Sequence, residues 1–204
     1  MYIPPQFEIT APEVIASVIH EYGFASLVSR DGAKLNASHV PLMLVGSAAR
    51  GGELHGHLAA SNPQLEQIDG QNILAMFHGP HAYISPQAYA EASVPTWNFI
   101  AVHVTGTARR LHEAARQDEN LARLTAQYEG ADMPARELDP KRLMALKAGI
   151  GHFVMDIETV QAKFKLSQNK SAEDRARIIA DLRQRDGSLA HAIADEMARL
   201  EDPA

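Results

Sequence analysis

The chain has 204 residues, of which 46% are hydrophobic and 22% are charged, and it contains no cysteine. This composition excludes a disordered chain, and the lack of cysteine excludes disulfides, thiolate metal sites and a cysteine nucleophile. The formal net charge is −6, with 19 basic residues against 25 acidic ones, so direct binding to duplex DNA is doubtful because phosphate contacts require an excess of Lys and Arg.

The N-terminus and the apolar stretches argue against two further classes. Residues 1–5 have neither the basic region nor the apolar run of a secretory signal peptide. The longest apolar stretches are also too short to cross a bilayer. We therefore expect a soluble, cytoplasmic protein without a membrane partner.

The first half of the chain is predicted to be one helix followed by short strands. Thr10 and Glu13 have the spacing of a capping box, and Asp31-Gly32 is a two-residue hairpin turn. Gly79-Pro80 predicts a further turn between two strands. In chain order the predicted elements are a helix over 13–22, strands over 24–30, 35–45 and 53–58, a short helix near 65–68, and strands over 72–78, 82–85 and 96–111.

The second half is predicted to alternate helix and strand. It begins with a helix after Glu113 and a second helix over 140–150, and a strand over 152–165 follows with a slip near Glu158 that indicates a bulge. Ser171 and Asp174 form a second capping-box spacing. Two amphipathic helices, over 171–182 and 189–200, end the chain.

Short antiparallel strands flanked by helices favour an α+β fold with a small barrel over a parallel βαβ sheet. We expect one core domain over residues 1–165 and a C-terminal two-helix extension over 166–204.

Familiar catalytic motifs are absent from the sequence. Gly149-Ile150-Gly151 lacks the third glycine of a dinucleotide loop and leads from a helix into a strand, which is the reverse of the required order. There is no Walker loop and no nucleophile elbow. No general acid/base pair can be identified, so catalytic residues stay unknown and the residues leave open whether the protein is an enzyme.

Two histidines lie on one face of a predicted strand. His55 and His57 are two residues apart, so their imidazoles point to the same side of the sheet. A metal ion is one interpretation, but it needs a third ligand, which the spacing does not supply. We therefore predict no metal site.

Two polar clusters have a structural and a functional interpretation. The only tryptophan, Trp97, lies between Thr96 and Asn98 at the start of the longest strand, where it could fill a core or form a wall for a flat aromatic ligand. Residues 165–170, KLSQNK, could be a helix lead-in, or they could supply donors to a phosphate or a flavin edge near a helix N-terminus.

Five segments in order carry a resemblance to a known family: MYIPPQF (1–7), LHGHL (54–58) with NPQ (62–64), FHGPHAYISP (77–86), VPTWN (94–98) and KLSQNK (165–170). Together they resemble the PaiB-type negative transcriptional regulators. The resemblance implies an FMN-binding split β-barrel, similar to pyridoxamine-phosphate oxidases and flavin reductases, in which a homodimer holds FMN between its subunits. A flavin-dependent oxidoreductase of that type is the alternative function, and a cofactor-free dimeric scaffold is a third.

The resemblance also implies which residues contact the cofactor. They are Ser38, His39, Val40, Pro41, Leu42, His57, Leu58, Asn62, Thr96, Trp97, Asn98, Lys165, Ser167, Gln168 and Asn169. The chain departs from the family pattern at Ala59, Ala60 and Ser61, where a basic residue is expected. Neutralisation of the FMN phosphate then falls to Lys165, Lys170 or Arg50.

Overall fold

The structure is a computed structural model that describes residues 1–129 and 139–200. Its described part contains seven strands: β1 (Glu8–Ile9), β2 (Phe24–Asp31), β3 (Lys34–Val45), β4 (Glu53–Ala59), β5 (Asn72–Ile84), β6 (Thr96–Leu111) and β7 (Ile150–Lys165). It also contains six α-helices: α1 (Pro12–Glu21), α2 (Gln64–Gln67), α3 (Ala114–Glu129), α4 (Pro140–Ala148), α5 (Ala172–Gln184) and α6 (Ser188–Arg199). No helix in these ranges is long and apolar enough to cross a membrane.

The strands form one sheet in the order β1-β7-β4-β3-β2-β5-β6, and β6 also pairs with β7. Every pair whose register is known, including β2 with β3 and β4 with β7, is antiparallel. The additional pairing closes the strand order, as a barrel requires. The predicted fold class, an α+β antiparallel split barrel with flanking helices, is confirmed.

By its internal contacts the chain divides into two compact units. Unit 1 comprises Met1–Ala11, His78–Val102 and Gln161–Ala204, of which 201–204 lie outside the described residues. Unit 2 comprises Pro12–Phe77 and His103–Val160. The predicted boundary at residue 165 stays a prediction.

Unit 2 has a core of fully buried aliphatic and aromatic side chains, among them Ile19, Leu27, Leu42, Leu54, Leu65, Ile68, Phe77, Phe153 and Met155. Its β2–β3 hairpin turns one residue later than predicted. Asp31 pairs with Lys34, so the two-residue loop is Gly32-Ala33. Gly32 has φ +58°, and the turn favours glycine there because side chains rarely adopt that backbone conformation.

Unit 1 contains α5 and α6, whose buried faces include Ile178, Leu182, Ile193 and Met197. The turn predicted at Gly79-Pro80 is wrong, because β5 runs without interruption from Asn72 to Ile84. Packing explains why glycine occurs within this continuous strand. A Cβ added to Gly79 would lie 2.9 Å from the Cβ of Ile100. Glycine at this position therefore permits a close approach to Ile100 instead of making a turn.

Candidate functional site

Unit 1 contains a cavity of about 200 Å³, which we call the cation cavity. Its lining combines aromatic and aliphatic side chains with hydroxyl, amide and ammonium groups, and none of the lining residues is acidic. They are Phe7, Tyr89, Val94, Thr96, Lys165, Ser167, Asn169 and Lys170. The structure thus brings together four of the predicted cofactor residues of unit 1, Thr96, Lys165, Ser167 and Asn169.

Lys165 carries the central charge of the cation cavity. Its ammonium donates to Thr96 Oγ1 at 2.8 Å and to the carbonyl oxygen of Trp97 at 2.7 Å. Both acceptors are neutral, so neither offsets the positive charge. Burial lowers the pKa of Lys165, and the ammonium groups of Lys163 and Lys170 lower it further. A bound anion would relieve this repulsion.

Tyr89 also lines the cation cavity, and its hydroxyl is buried. Its side chain is only 5% exposed, and its hydroxyl has no hydrogen-bond partner among the described residues. The ammonium of Lys170 lies 4.8 Å from the centre of its ring. Burial, and then the nearby carboxylate of Asp174, raises the pKa of the hydroxyl. A neutral phenol without a partner is costly to bury, so it indicates a missing acceptor.

The start of α5 adjoins these groups. Ser171 caps the helix by accepting a hydrogen bond from the backbone N–H of Asp174 at 3.1 Å, which confirms the predicted cap. The backbone N–H of Lys170 donates to the carbonyl of Ser167 at 3.0 Å, and Ser167 has the left-handed φ of 63°. This turn places Lys170 directly before the helix, where the backbone dipole favours an anion.

Trp97 presents an open aromatic surface. Its side chain is 53% exposed, so it is not core filler. The ring of Tyr83 meets it edge-on with a centroid distance of 5.9 Å, and the ring of His81 lies at 6.2 Å. These contacts hold the indole while leaving much of it accessible for stacking.

The other two predicted cofactor residues of unit 1, Asn98 and Gln168, form hydrogen bonds within the protein through their side-chain amides. Asn98 is fully buried and hydrogen-bonds with Ser167 at 3.0 Å. Gln168 accepts from the N–H of Leu166 and donates to the carbonyl of Phe164. Both residues therefore shape the turn that carries the lining residues.

The remaining eight predicted cofactor residues belong to unit 2. Asn62 donates to Ser38 Oγ at 3.1 Å, and His39 shares a 3.1 Å hydrogen bond with Ser26. Pro41 is half-buried on β3. The side chains of Val40, Leu42 and Leu58 are buried in the core, so any ligand contact by these three would be through the backbone.

His57, the last of the eight, lies beside a residue that the sequence did not predict. His57 on β4 pairs directly with His152 on β7, and their ring centroids are 5.8 Å apart. Burial lowers the pKa of both histidines, and proximity to His57 lowers that of His152 further despite an opposing contribution from Asp118. Both imidazoles are therefore neutral at neutral pH.

A larger concavity of about 550 Å³ lies along α1 in unit 2, lined by Ala16, Ser17, His20, Glu21 and Leu44. It contains none of the predicted site residues, and its charged group is a carboxylate. The chemistry of the cation cavity makes that smaller site the better candidate for an anionic ligand.

The family model described as "Putative FMN-binding domain" matches residues 1–159. The chain is 35% identical over 202 residues to "Protease synthase and sporulation protein PAI 2" of Bacillus subtilis, an alignment that covers 97% of this chain and 96% of the relative.

Solved structures share the fold at low sequence identity. The flavocytochrome Anf3 of Azotobacter vinelandii superposes with a TM-score of 0.64 at 13% identity, over 83% of this chain and 75% of that one. The FAD and heme binding protein of Mycobacterium smegmatis gives 0.63 at 14% identity, over 83% of this chain and 78% of that one.

Proposed function

Because the chain belongs to the FMN-binding-domain family and is related to the PaiB-type regulators, we propose that it is a dimeric FMN-binding regulator that seats the FMN phosphate in the cation cavity. FMN is the cofactor that the family assigns to it. When bound, FMN supplies the capacity to accept and donate electrons.

The observation that carries this proposal is that Lys165 and Tyr89 both line the cation cavity. Among the described residues the Lys165 ammonium has no acidic partner, and the buried Tyr89 hydroxyl has no acceptor. A phosphate is an acceptor that satisfies both, because its oxygens take charge-assisted hydrogen bonds from an ammonium and ordinary ones from a hydroxyl. The donor set therefore fits FMN at its phosphate.

The cation cavity is too small to enclose a whole FMN molecule. Sites that enclose a drug-sized ligand measure roughly 300–1,000 Å³, whereas this cavity measures about 200 Å³. It accepts a phosphate and part of the adjoining chain, but the isoalloxazine ring must lie outside it. The exposed face of Trp97 is our candidate for the stacking surface.

A regulatory role rests on the relatedness to the PaiB-type regulators. The lining of the cation cavity includes no carboxylate or histidine, so it supplies no candidate acid or base for catalysis. The flavin-dependent oxidoreductase therefore stays the alternative, with chemistry that would depend on the flavin itself.

Direct DNA contact is not part of this proposal. Three arginines of the C-terminal segment bridge to carboxylates within it: Arg183 to Asp195, Arg185 to Asp181 and Arg199 to Glu196. With a net charge of −6, the chain offers little to duplex phosphates. We propose instead a cytoplasmic protein that responds to its flavin and acts through another partner.

Titration with FMN and with riboflavin, which lacks the phosphate, tests the proposal. We expect Lys165→Met to weaken FMN binding by about tenfold or more, the loss expected for a charge-assisted hydrogen bond. Its riboflavin affinity should stay within about twofold of the parent's, since the ring contacts remain. Calorimetry measures both affinities. Lys34→Met is the matched control, because Lys34 is exposed on β3, does not line the cavity and is not among the charges that act on Lys165.

Equal losses for both flavins, in a variant whose thermal unfolding matches the parent's, would mean that Lys165 does not contact the phosphate specifically. Unchanged FMN affinity would mean that the phosphate binds elsewhere. Either result contradicts the proposal.

A further inference from the structure

Unit 2 encloses a second, much smaller cavity of about 10 Å³, which we call the histidine cavity. His55, His57, His152 and Asn120 all line it. A single water molecule needs about 10–15 Å³ measured in this way. The histidine cavity is therefore the size of one water or one ion and is too small for a flavin.

Two of its histidines lie next to each other across the β4–β7 strand pair. His57 and His152 are directly opposite each other on antiparallel strands, so their side chains project from the same face of the sheet. Their ring centroids are 5.8 Å apart, and no hydrogen bond to either imidazole is seen among the described residues. Small rotations about χ1 and χ2 would direct one nitrogen of each ring at a common point.

Asn120, another polar residue of the histidine cavity, is held in place by a chain of contacts that begins at Arg109. Arg109 bridges to Glu53 at 2.8 Å, and the other carboxylate oxygen of Glu53 lies 2.7 Å from His55 Nε2. His55 Nδ1 in turn lies 2.7 Å from Asn120 Oδ1. Asn120 is only 8% exposed, and its Nδ2 has no partner among the described residues. A buried amide is thus fixed at one end and left with an unused donor at the other.

We propose that His57 and His152 bind one divalent transition-metal ion of the Zn²⁺ type, with water in its remaining positions. Imidazole nitrogen is a preferred ligand of Zn²⁺ and its first-row neighbours. The free Nδ2 of Asn120 donates a hydrogen bond to a metal-bound water, as outer groups commonly do around such sites.

The sequence predicted no metal site because His55 and His57 lacked a third ligand. In the structure, the candidate ligands are His57 and His152 instead of His55 and His57. His55 is occupied by Glu53 and Asn120, while His152 arrives from β7. Within the described ranges no group of three or more His, Cys, Asp or Glu could hold a metal. The site accordingly depends on two histidines and water, and its affinity should be below that of a closed structural zinc site.

Titration of the metal-free, flavin-free protein with Zn²⁺ tests this proposal separately from the cofactor assignment. Calorimetry should show one ion per chain. His57→Gln and His152→Gln should each lower the affinity by about tenfold or more, since removing even an outer-shell group costs 10–100-fold. His20→Gln, which removes an exposed histidine of α1, should leave the affinity unchanged. Co²⁺ should give visible absorption bands that both cavity variants abolish.

Asn120→Asp provides a test in the opposite direction. In this variant one carboxylate oxygen can keep the contact with His55. The other takes the place of the unused Nδ2 and offers the metal ion a negatively charged ligand. Zn²⁺ binding should become tighter in this variant, whereas damage to the fold would weaken it. The proposal is overturned if the parent binds no stoichiometric Zn²⁺, or if the double variant His57→Gln/His152→Gln binds it as tightly as the parent. In either case the histidine cavity holds water only.

Discussion

Tyr89 shows how one side chain can cost stability and still support binding. Its buried hydroxyl has no acceptor among the described residues. Removing an unpaired buried polar group is close to neutral or stabilising, whereas removing a paired one costs about 1–3 kcal/mol. The sign of a substitution at Tyr89 should therefore depend on whether the ligand is present.

Tyr89→Phe should leave the unfolding midpoint of the flavin-free protein unchanged or slightly higher, and it should weaken FMN binding by about fivefold or more. Thermal unfolding with and without FMN measures both effects on the same samples. Loss of stability without FMN would show that the hydroxyl has a structural partner. Full FMN affinity in the variant would show that it does not contact the phosphate.

Lys165 should make FMN binding depend on pH. Its pKa in the flavin-free protein is lowered, first by burial and then by Lys163 and Lys170, and a bound phosphate would raise it. The phosphate contact is therefore fully present below the lowered pKa and weakens as the pH rises through it. This loss should begin at a lower pH than for an ordinary lysine. The raised pKa of Tyr89 keeps its hydroxyl neutral in the same range.

FMN affinity measured from pH 7 to pH 10 should fall in the parent and change little in Lys165→Met. Riboflavin is the control ligand, because without a phosphate it should show no such decline. A parallel decline for both flavins would assign the pH dependence to the fold or the ring.

The single-residue roles divide into those that sequence can reveal and those that it cannot. Lys165 and Trp97 lie in dense polar and aromatic segments, so the sequence points to them directly. Tyr89 lies in an alanine-rich loop and gains its importance only from burial beside Lys170. His152 matters only because the antiparallel register places it opposite His57, and register between distant strands is not written in local sequence.

At the scale of elements, local patterns predicted the ends of most helices and strands. The strand predicted over 96–111 is β6 with the same bounds, and the Ser171 cap forms as expected. Turn chemistry was less reliable where packing opposed it. Gly79-Pro80 has the composition of a turn, yet β5 continues through it because close contact with Ile100 requires glycine. The hairpin loop lies one residue later than predicted because glycine takes its first position, with φ +58°, while Asp31 stays paired with Lys34 in the strands.

At the scale of the whole molecule, assembly is the main open prediction. Several large apolar side chains of unit 1 are exposed, including Tyr2 at 83%, Val94 at 72% and Trp97 at 53%. Val94 also lines the cation cavity, and Trp97 is the proposed stacking surface. A second copy that covers these side chains would bury apolar area and shield the flavin ring.

We therefore predict a homodimer. Sedimentation velocity at micromolar concentration should give the mass of two 22.3 kDa chains, with or without FMN. Val94→Glu should shift the distribution toward the monomer by placing a charge in the apolar contact. A monomeric parent at these concentrations would refute the prediction.

Determining a crystal structure of the FMN complex would test the central claim most directly. That claim is that the cation cavity holds the cofactor phosphate. We predict phosphate oxygens within hydrogen-bond distance of Lys165 Nζ and the Tyr89 hydroxyl, with the flavin ring against Trp97. A phosphate bound outside this cavity, with Tyr89 still lacking a partner, would contradict the account.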